Sequence, residues 1–168
     1  GKVNCPMNPY AFLDLFFQEA SEDEVMVCGN GSACVMTFQA CRIKEGQRLF
    51  TNSGCAAMGY GFPAAIGAAI ARKGKQVVCI DGDGSFQMNL QELQTVVYNR
   101  LNIKIIYLNN DGYHSIRQTQ TNLFKGEPLV GVCDGNGLSF PDMEKIAYAY
   151  GIPYVRIDHL EMASKQLK

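Results

Sequence analysis

Gln76-Val77-Val78-Cys79-Ile80-Asp81-Gly82-Asp83-Gly84-Ser85 opens with an apolar run that reads as a buried strand and closes with a turn of two glycines and two carboxylates. Phe86 to Arg100 follows at helical spacing, with Leu90, Leu93, Val96 and Val97 on one side, and Ile103 to Leu108 is strand-like again. Strand, helix and strand joined by short connections predict two parallel strands that end at the same sheet edge. The second strand also runs into a polar turn, Asn109-Asn110-Asp111-Gly112.

The same alternation extends outward. Upstream, Phe12, Leu13, Phe16 and Phe17 predict a helix over Pro9 to Ala20; Ser21-Glu22-Asp23 breaks it before a strand, Val25-Met26-Val27-Cys28. A glycine-rich turn, Gly29-Asn30-Gly31-Ser32-Ala33-Cys34, comes next, and Pro63 opens an alanine-rich helix, Ala64 to Ala71. Downstream of Asn109, periodicity is absent for about thirty residues, longer than ordinary connections and a length that favours a functional loop. Asp142 to Tyr150 then reads as a helix, Tyr154 to Ile157 as a strand and Leu160 to Lys168 as a helix, with a final strand missing. No repeat is found. The pattern predicts a three-layer, doubly wound α/β domain: a mostly parallel sheet with helices on both faces and a ligand site beyond the carboxyl ends of its strands.

Composition narrows the partners. The 168 residues are 47% hydrophobic, enough for one sizeable core, and 15 Lys and Arg against 16 Asp and Glu argue against nucleic acid. No apolar run approaches the ~20 residues that span a bilayer, so neither a membrane span nor a membrane partner is expected. Seven cysteines without a Cys-x-x-Cys pair suggest free thiols in a reducing cytoplasm. Cys41 and Cys55 flank a polar segment where ligands or nucleophiles could stand, but no histidine lies near them, and thiols packed as small hydrophobes are favoured.

Both glycine-rich turns partly match a dinucleotide fingerprint, whose logic is backbone N–H groups at a helix start offered to a phosphate. Cys34 and Gln87 occupy the place of the third glycine, and Glu45, the candidate ribose-binding acid, has no regular strand leading to it. Asp81 and Asp83 would also repel a bare phosphate, so a cation is needed between them; Mg²⁺ bridges carboxylates to phosphates in this way. Asp83 as a plain turn or cap residue is the alternative. Asn110 lies 27 residues beyond Asp83, after the neighbouring strand, so its amide oxygen and the Gly112 carbonyl can join the Asp83 carboxylate at one edge.

Gly82-Asp83-Gly84-Ser85 followed by Asn109-Asn110 resembles the thiamine diphosphate motif of the 2-oxo acid decarboxylases and carboligases. Thr51 to Ala68 and Gly82 to Leu93 look most like the catalytic subunit of acetolactate synthase. The resemblance implies that Asp83, Asn110 and the Gly112 backbone hold Mg²⁺ and that Gly84 and Ser85 approach the diphosphate. It implies that His114 and Ser115 lie beside the diphosphate and that Gly31, Ser32 and Ala33 meet it from the other side. Ala56 and Met58 would face the aminopyrimidine, and Val35 would be the apolar wedge that bends the cofactor.

Arg117 aligns with a glutamate of the simple decarboxylases and cannot act as that acid; it would bind a substrate carboxylate or point to solvent. No tryptophan is present, including the one that plant-like synthases place beside the wedge. The glutamate that activates the cofactor belongs, by the resemblance, to a pyrimidine-binding domain that nothing here matches. The linker-like run from Gly1 through Pro6 and the unfinished helix at Lys168 suggest an excised piece, inactive alone, of an enzyme that decarboxylates a 2-oxo acid and joins the product to a second carbonyl. A homodimer or homotetramer is implied, since the family builds its site between chains. Simple decarboxylation, or a module that binds cofactor without catalysis, are the alternatives.

Overall fold

In a computed structural model of the chain, residues 7–125 and 128–167 are described; the linker-like reading of residues 1 to 6 lies outside them. Four strands form one all-parallel sheet: β1 (Val25–Cys28), β2 (Arg48–Phe50), β3 (Val77–Gly82) and β4 (Ile103–Leu108), in the order β2-β1-β3-β4. From β1 the chain steps outward to β2, and from β3 it steps the other way to β4. The order therefore reverses between β1 and β3, which is where doubly wound sheets open a crevice.

Helices cover both faces. α1 (Pro9–Glu19), α2 (Gly31–Ala40) and α8 (Leu160–Gln166) pack over Met26, Cys28, Val78, Ile80 and Ile106. α3 (Gly61–Ala71), α4 (Asp83–Gln87), α5 (Leu93–Tyr98) and α7 (Met143–Ala149) cover Val27, Val77, Cys79 and Ile105 on the other face. Successive strand residues point to opposite faces, so a strand enclosed by both layers must be apolar throughout, as Val77 to Ile80 are. The Cys28 and Cys79 thiols lie fully inside, where burial pushes the Cys28 thiol up to about 12 and Cys79 well above its ordinary value. Among the described residues no helix is long and apolar enough to cross a membrane.

Local chemistry sets the helix starts. Asn8 caps α1 by accepting from the N–H groups of Tyr10 (2.9 Å) and Ala11 (3.4 Å), ahead of Pro9 in the first turn. Asp142 caps α7 in the same way, through Glu144 and Lys145.

Several elements differ from the sequence reading. The alanine-rich helix begins at Gly61, before Pro63. The expected helix over Phe86 to Arg100 is broken into α4, a single 3₁₀ turn at Leu90–Glu92, and α5, because Asn89 leaves helical geometry (φ −131°, ψ 31°). α2 and β2 were not foreseen. The aperiodic stretch after Asn109 contains α6 (His114–Phe124), none of whose residues is buried. The expected strand Tyr154 to Ile157 is not paired with the sheet.

Candidate active site

The register of β3 against β4 pairs Gly82 with Leu108, so both strands stop level and release Asp83 and Asn109-Asn110 side by side. Asp83 is only 2% exposed. Its Oδ1 accepts from the Gly84 N–H (2.8 Å), and its Oδ2 accepts from the N–H groups of Gly112 (2.9 Å) and Asn110 (3.2 Å). Burial raises its pKa, and these three N–H groups offset part of that cost. The turn itself is strained: Asp111 takes φ +56° and Gly112 φ +136°, and a Cβ at Gly112 would run into the Val132 carbonyl. Glycine is required there.

Asn110 Oδ1 is buried and has no hydrogen-bond partner among the described residues. A buried amide oxygen without a donor costs free energy, so its presence beside a buried carboxylate calls for a cation or donor that the described residues do not provide. The oxygens available, one carboxylate, one amide and backbone carbonyls, suit a hard divalent cation that takes its other ligands from phosphate and water. They do not form a cage of their own, in keeping with the absence, among the described residues, of any group of three His, Cys, Asp or Glu placed to bind metal.

A cleft opens over this turn at the point where strand order reverses. Its walls include Asn30, Gly31, Ser32 and Ala33 after β1, Gly82 to Ser85 after β3, and Asn110, Gly112, His114 and Ser115 after β4, with Met58 on the fourth side. Eleven of the residues singled out from sequence are thus brought to one place: Gly31, Ser32, Ala33, Met58, Asp83, Gly84, Ser85, Asn110, Gly112, His114 and Ser115. Val35, 53% exposed on α2, and Ala56 do not line it. Arg117 donates from Nη2 to the Asn110 carbonyl (3.1 Å) and to His114 Nδ1 (3.3 Å). Arginine only donates, so in this contact the imidazole accepts at Nδ1.

Sequence reasoning overlooked Asn30, Tyr113 and Asn89. Asn30 reaches from the first turn to the Ala56 carbonyl (3.1 Å), tying two walls together. The Tyr113 ring lies where a side chain on Gly84 would stand, so Gly84 must be glycine for the turns to meet. The position of Asn30 within a glycine-rich turn after a strand was a usable signal; nothing marked Asn89.

Residues 29–168 match the family described as the thiamine pyrophosphate enzyme C-terminal TPP binding domain. The chain is 35% identical to acetolactate synthase 2, chloroplastic, of Nicotiana tabacum, over 94% of its own length and 26% of that protein. It is 31% identical to the acetolactate synthase large subunit of Lactococcus lactis, over 98% of its length and 28% of that protein. It thus spans about a quarter of these relatives. Among solved structures, the thiamine diphosphate-dependent 4-hydroxybenzoylformate decarboxylase of Rhodococcus jostii RHA1 superimposes with a TM-score of 0.81 at 23% identity, over 99% of this chain and 31% of that one, which establishes the shared fold. With the doubly wound sheet, the cleft at its switch point and the profile match over most of its length, the chain belongs to the C-terminal thiamine diphosphate-binding domain family of thiamine diphosphate enzymes.

Proposed function

We propose that this chain is the diphosphate- and metal-holding domain of an enzyme that decarboxylates a 2-oxo acid and joins the remaining fragment to a second carbonyl compound, as in acetolactate synthesis. The observation that carries the proposal is that buried Asp83 stands beside Asn110 Oδ1, which has no partner among the described residues, at the head of the cleft. Asp83 and Asn110, with the Gly112 carbonyl, hold Mg²⁺. Gly84 leaves room for the diphosphate, and Gly31, Ser32, His114 and Ser115 offer donors around it. Thiamine diphosphate, when bound, supplies a carbon nucleophile and an electron sink for the bond to CO₂.

The remaining work of these residues is positional. Arg117 braces the Asn110 carbonyl with Nη2, which leaves Nε and Nη1 without an acceptor among the described residues and free for a substrate carboxylate. Arginine there, where simple decarboxylases carry a glutamate, favours carboligation. A pyrimidine-binding domain from elsewhere in a longer protein completes the site, within a homodimer or homotetramer.

The test is calorimetry on the full-length protein. Asp83→Ala removes the one formal anionic ligand of an oxygen-only site, and Mg²⁺-dependent thiamine diphosphate binding should be abolished. Unchanged affinity in the variant would overturn the metal assignment.

A further inference from the structure

We propose that Asn89, acting together with Ser85, is a positioning residue that fixes the height of the 52–60 segment above the cleft and so sets the wall that meets the ring portion of the cofactor. The proposal rests on the thiamine diphosphate reading above. Its starting point is Gly59, a buried residue whose two backbone polar groups are both taken by side chains. The Gly59 N–H donates to Ser85 Oγ (2.9 Å), and the Gly59 carbonyl accepts from Asn89 Nδ2 (2.6 Å). Ser85 and Asn89 belong to the segment that directly follows the metal turn, so the turn and the wall opposite are joined by two hydrogen bonds on one residue.

The geometry leaves little slack. Gly59 takes φ +81°, and a Cβ on it would stand 2.6 Å from Asn89 Nδ2 and 3.1 Å from Met88 Cβ, so the close approach depends on glycine. Asn89 departs from helical geometry, and its side chain reaches across to the loop; the helix is interrupted where the clamp is made. Immediately before Gly59, Met58 lines the cleft, and its Cε lies 3.1 Å from the place a Gly84 side chain would occupy. The middle of the same segment is tied down at the Ala56 carbonyl by Asn30. Asn89 does not line the cleft, so any influence on a ligand passes through Gly59 and Met58.

The two halves of the cofactor separate this role from general support of the fold. In the proposed reading the diphosphate meets the metal turn and the ring portion meets the 52–60 wall at Met58. Inorganic pyrophosphate with Mg²⁺ engages only the first. In the full-length protein, Asn89→Ala should therefore raise the Kd for thiamine diphosphate roughly tenfold, the scale of one lost hydrogen bond to a positioned group, and leave the Kd for Mg²⁺-pyrophosphate within about twofold. Asn89→Asp keeps the shape but sets an acceptor against the Gly59 carbonyl, and should show the same split even if the alanine variant does not fold. Equal weakening of both ligands, or no change in either, overturns the proposal alone. Failure of the unaltered protein to bind either ligand overturns the cofactor reading and this proposal with it.

Discussion

Burial holds the Asp81 carboxyl up at about 6 against an ordinary 3.8, with the Ser85 hydroxyl and the Gly82 N–H offsetting only part of the cost. Its Oδ2 has no partner among the described residues, although the side chain is fully enclosed. A carboxyl whose folded pKa exceeds its unfolded value contributes no penalty below pH 3.8, loses stability as pH rises from there through 6, and carries the full penalty above it. Asp81→Asn should therefore stabilise the chain at pH 7.5 by up to about 3 kcal/mol, with the gain vanishing near pH 4. Urea unfolding at the two pH values measures it, and an equal effect at both would show that burial of the charge is not the cause. Asp83 was legible as chemistry because two carboxylates in a glycine turn need explaining. The spacing to Asn110 and the resemblance gave the metal to Asp83 alone; the structure adds that Asp81, at the end of β3, packs its carboxyl against Gly29 and Gly61, whereas Asp83 opens α4 and turns to Asn110 and Gly112.

α3 meets the sheet at Gly61, where an added Cβ would stand 2.8 Å from both the nitrogen and Cα of Gly29 and 2.8 Å from Asp81 Oδ2. Two of these three atoms are backbone and cannot swing aside. Gly61→Ala should cost roughly 1–3 kcal/mol in urea unfolding, whereas Gly67→Ala on the same helix, where a Cβ meets nothing within 4 Å, should not destabilise. Elements were legible where a face is buried. β3, β4 and α1 announce themselves through continuous or periodic apolar positions, and their faces are the ones found inside. α6 was not read as a helix because polar Gln, Thr and Asn fill most of it and its few apolar residues, Ile116, Leu123 and Phe124, are exposed and face no core. The Gln120 side chain pairs with both backbone groups of Val130 at 3.0 Å. α2 buries only Ala33 and Thr37, two small residues, so its packing left little trace in hydropathy.

At the scale of the molecule, the doubly wound class followed from the alternation of strands and helices, and the location of the cleft followed from the class. The cleft is walled by four segments of this chain, and Gly31, His114 and Ser115 on its walls are exposed, a side open to the second domain of the proposed function. We expect the full-length protein to be at least dimeric by light scattering and to release CO₂ from a 2-oxo acid. This chain by itself should release none, since the proposed function assigns the group that activates the cofactor to a second domain. Turnover by the isolated chain would place the whole catalytic apparatus within these residues. Such a result would also remove the reason for a second covering surface.

Because β3 is hydrogen-bonded on both sides, the sheet assembles in a constrained order. Before residues 77–82 leave the ribosome, β1 and β2 can form only their own short ladder of three residue pairs, with the inner edge of β1 bare. Each later ladder joins segments separated by a complete helical crossover, and closing such distances precedes any reward from the contacts made. β3, one of two inner strands, is thus the piece that joins the β2-β1 pair to β4. Nothing resembling the cleft exists until it arrives, and the turn that bears Asp83 is synthesised directly behind it.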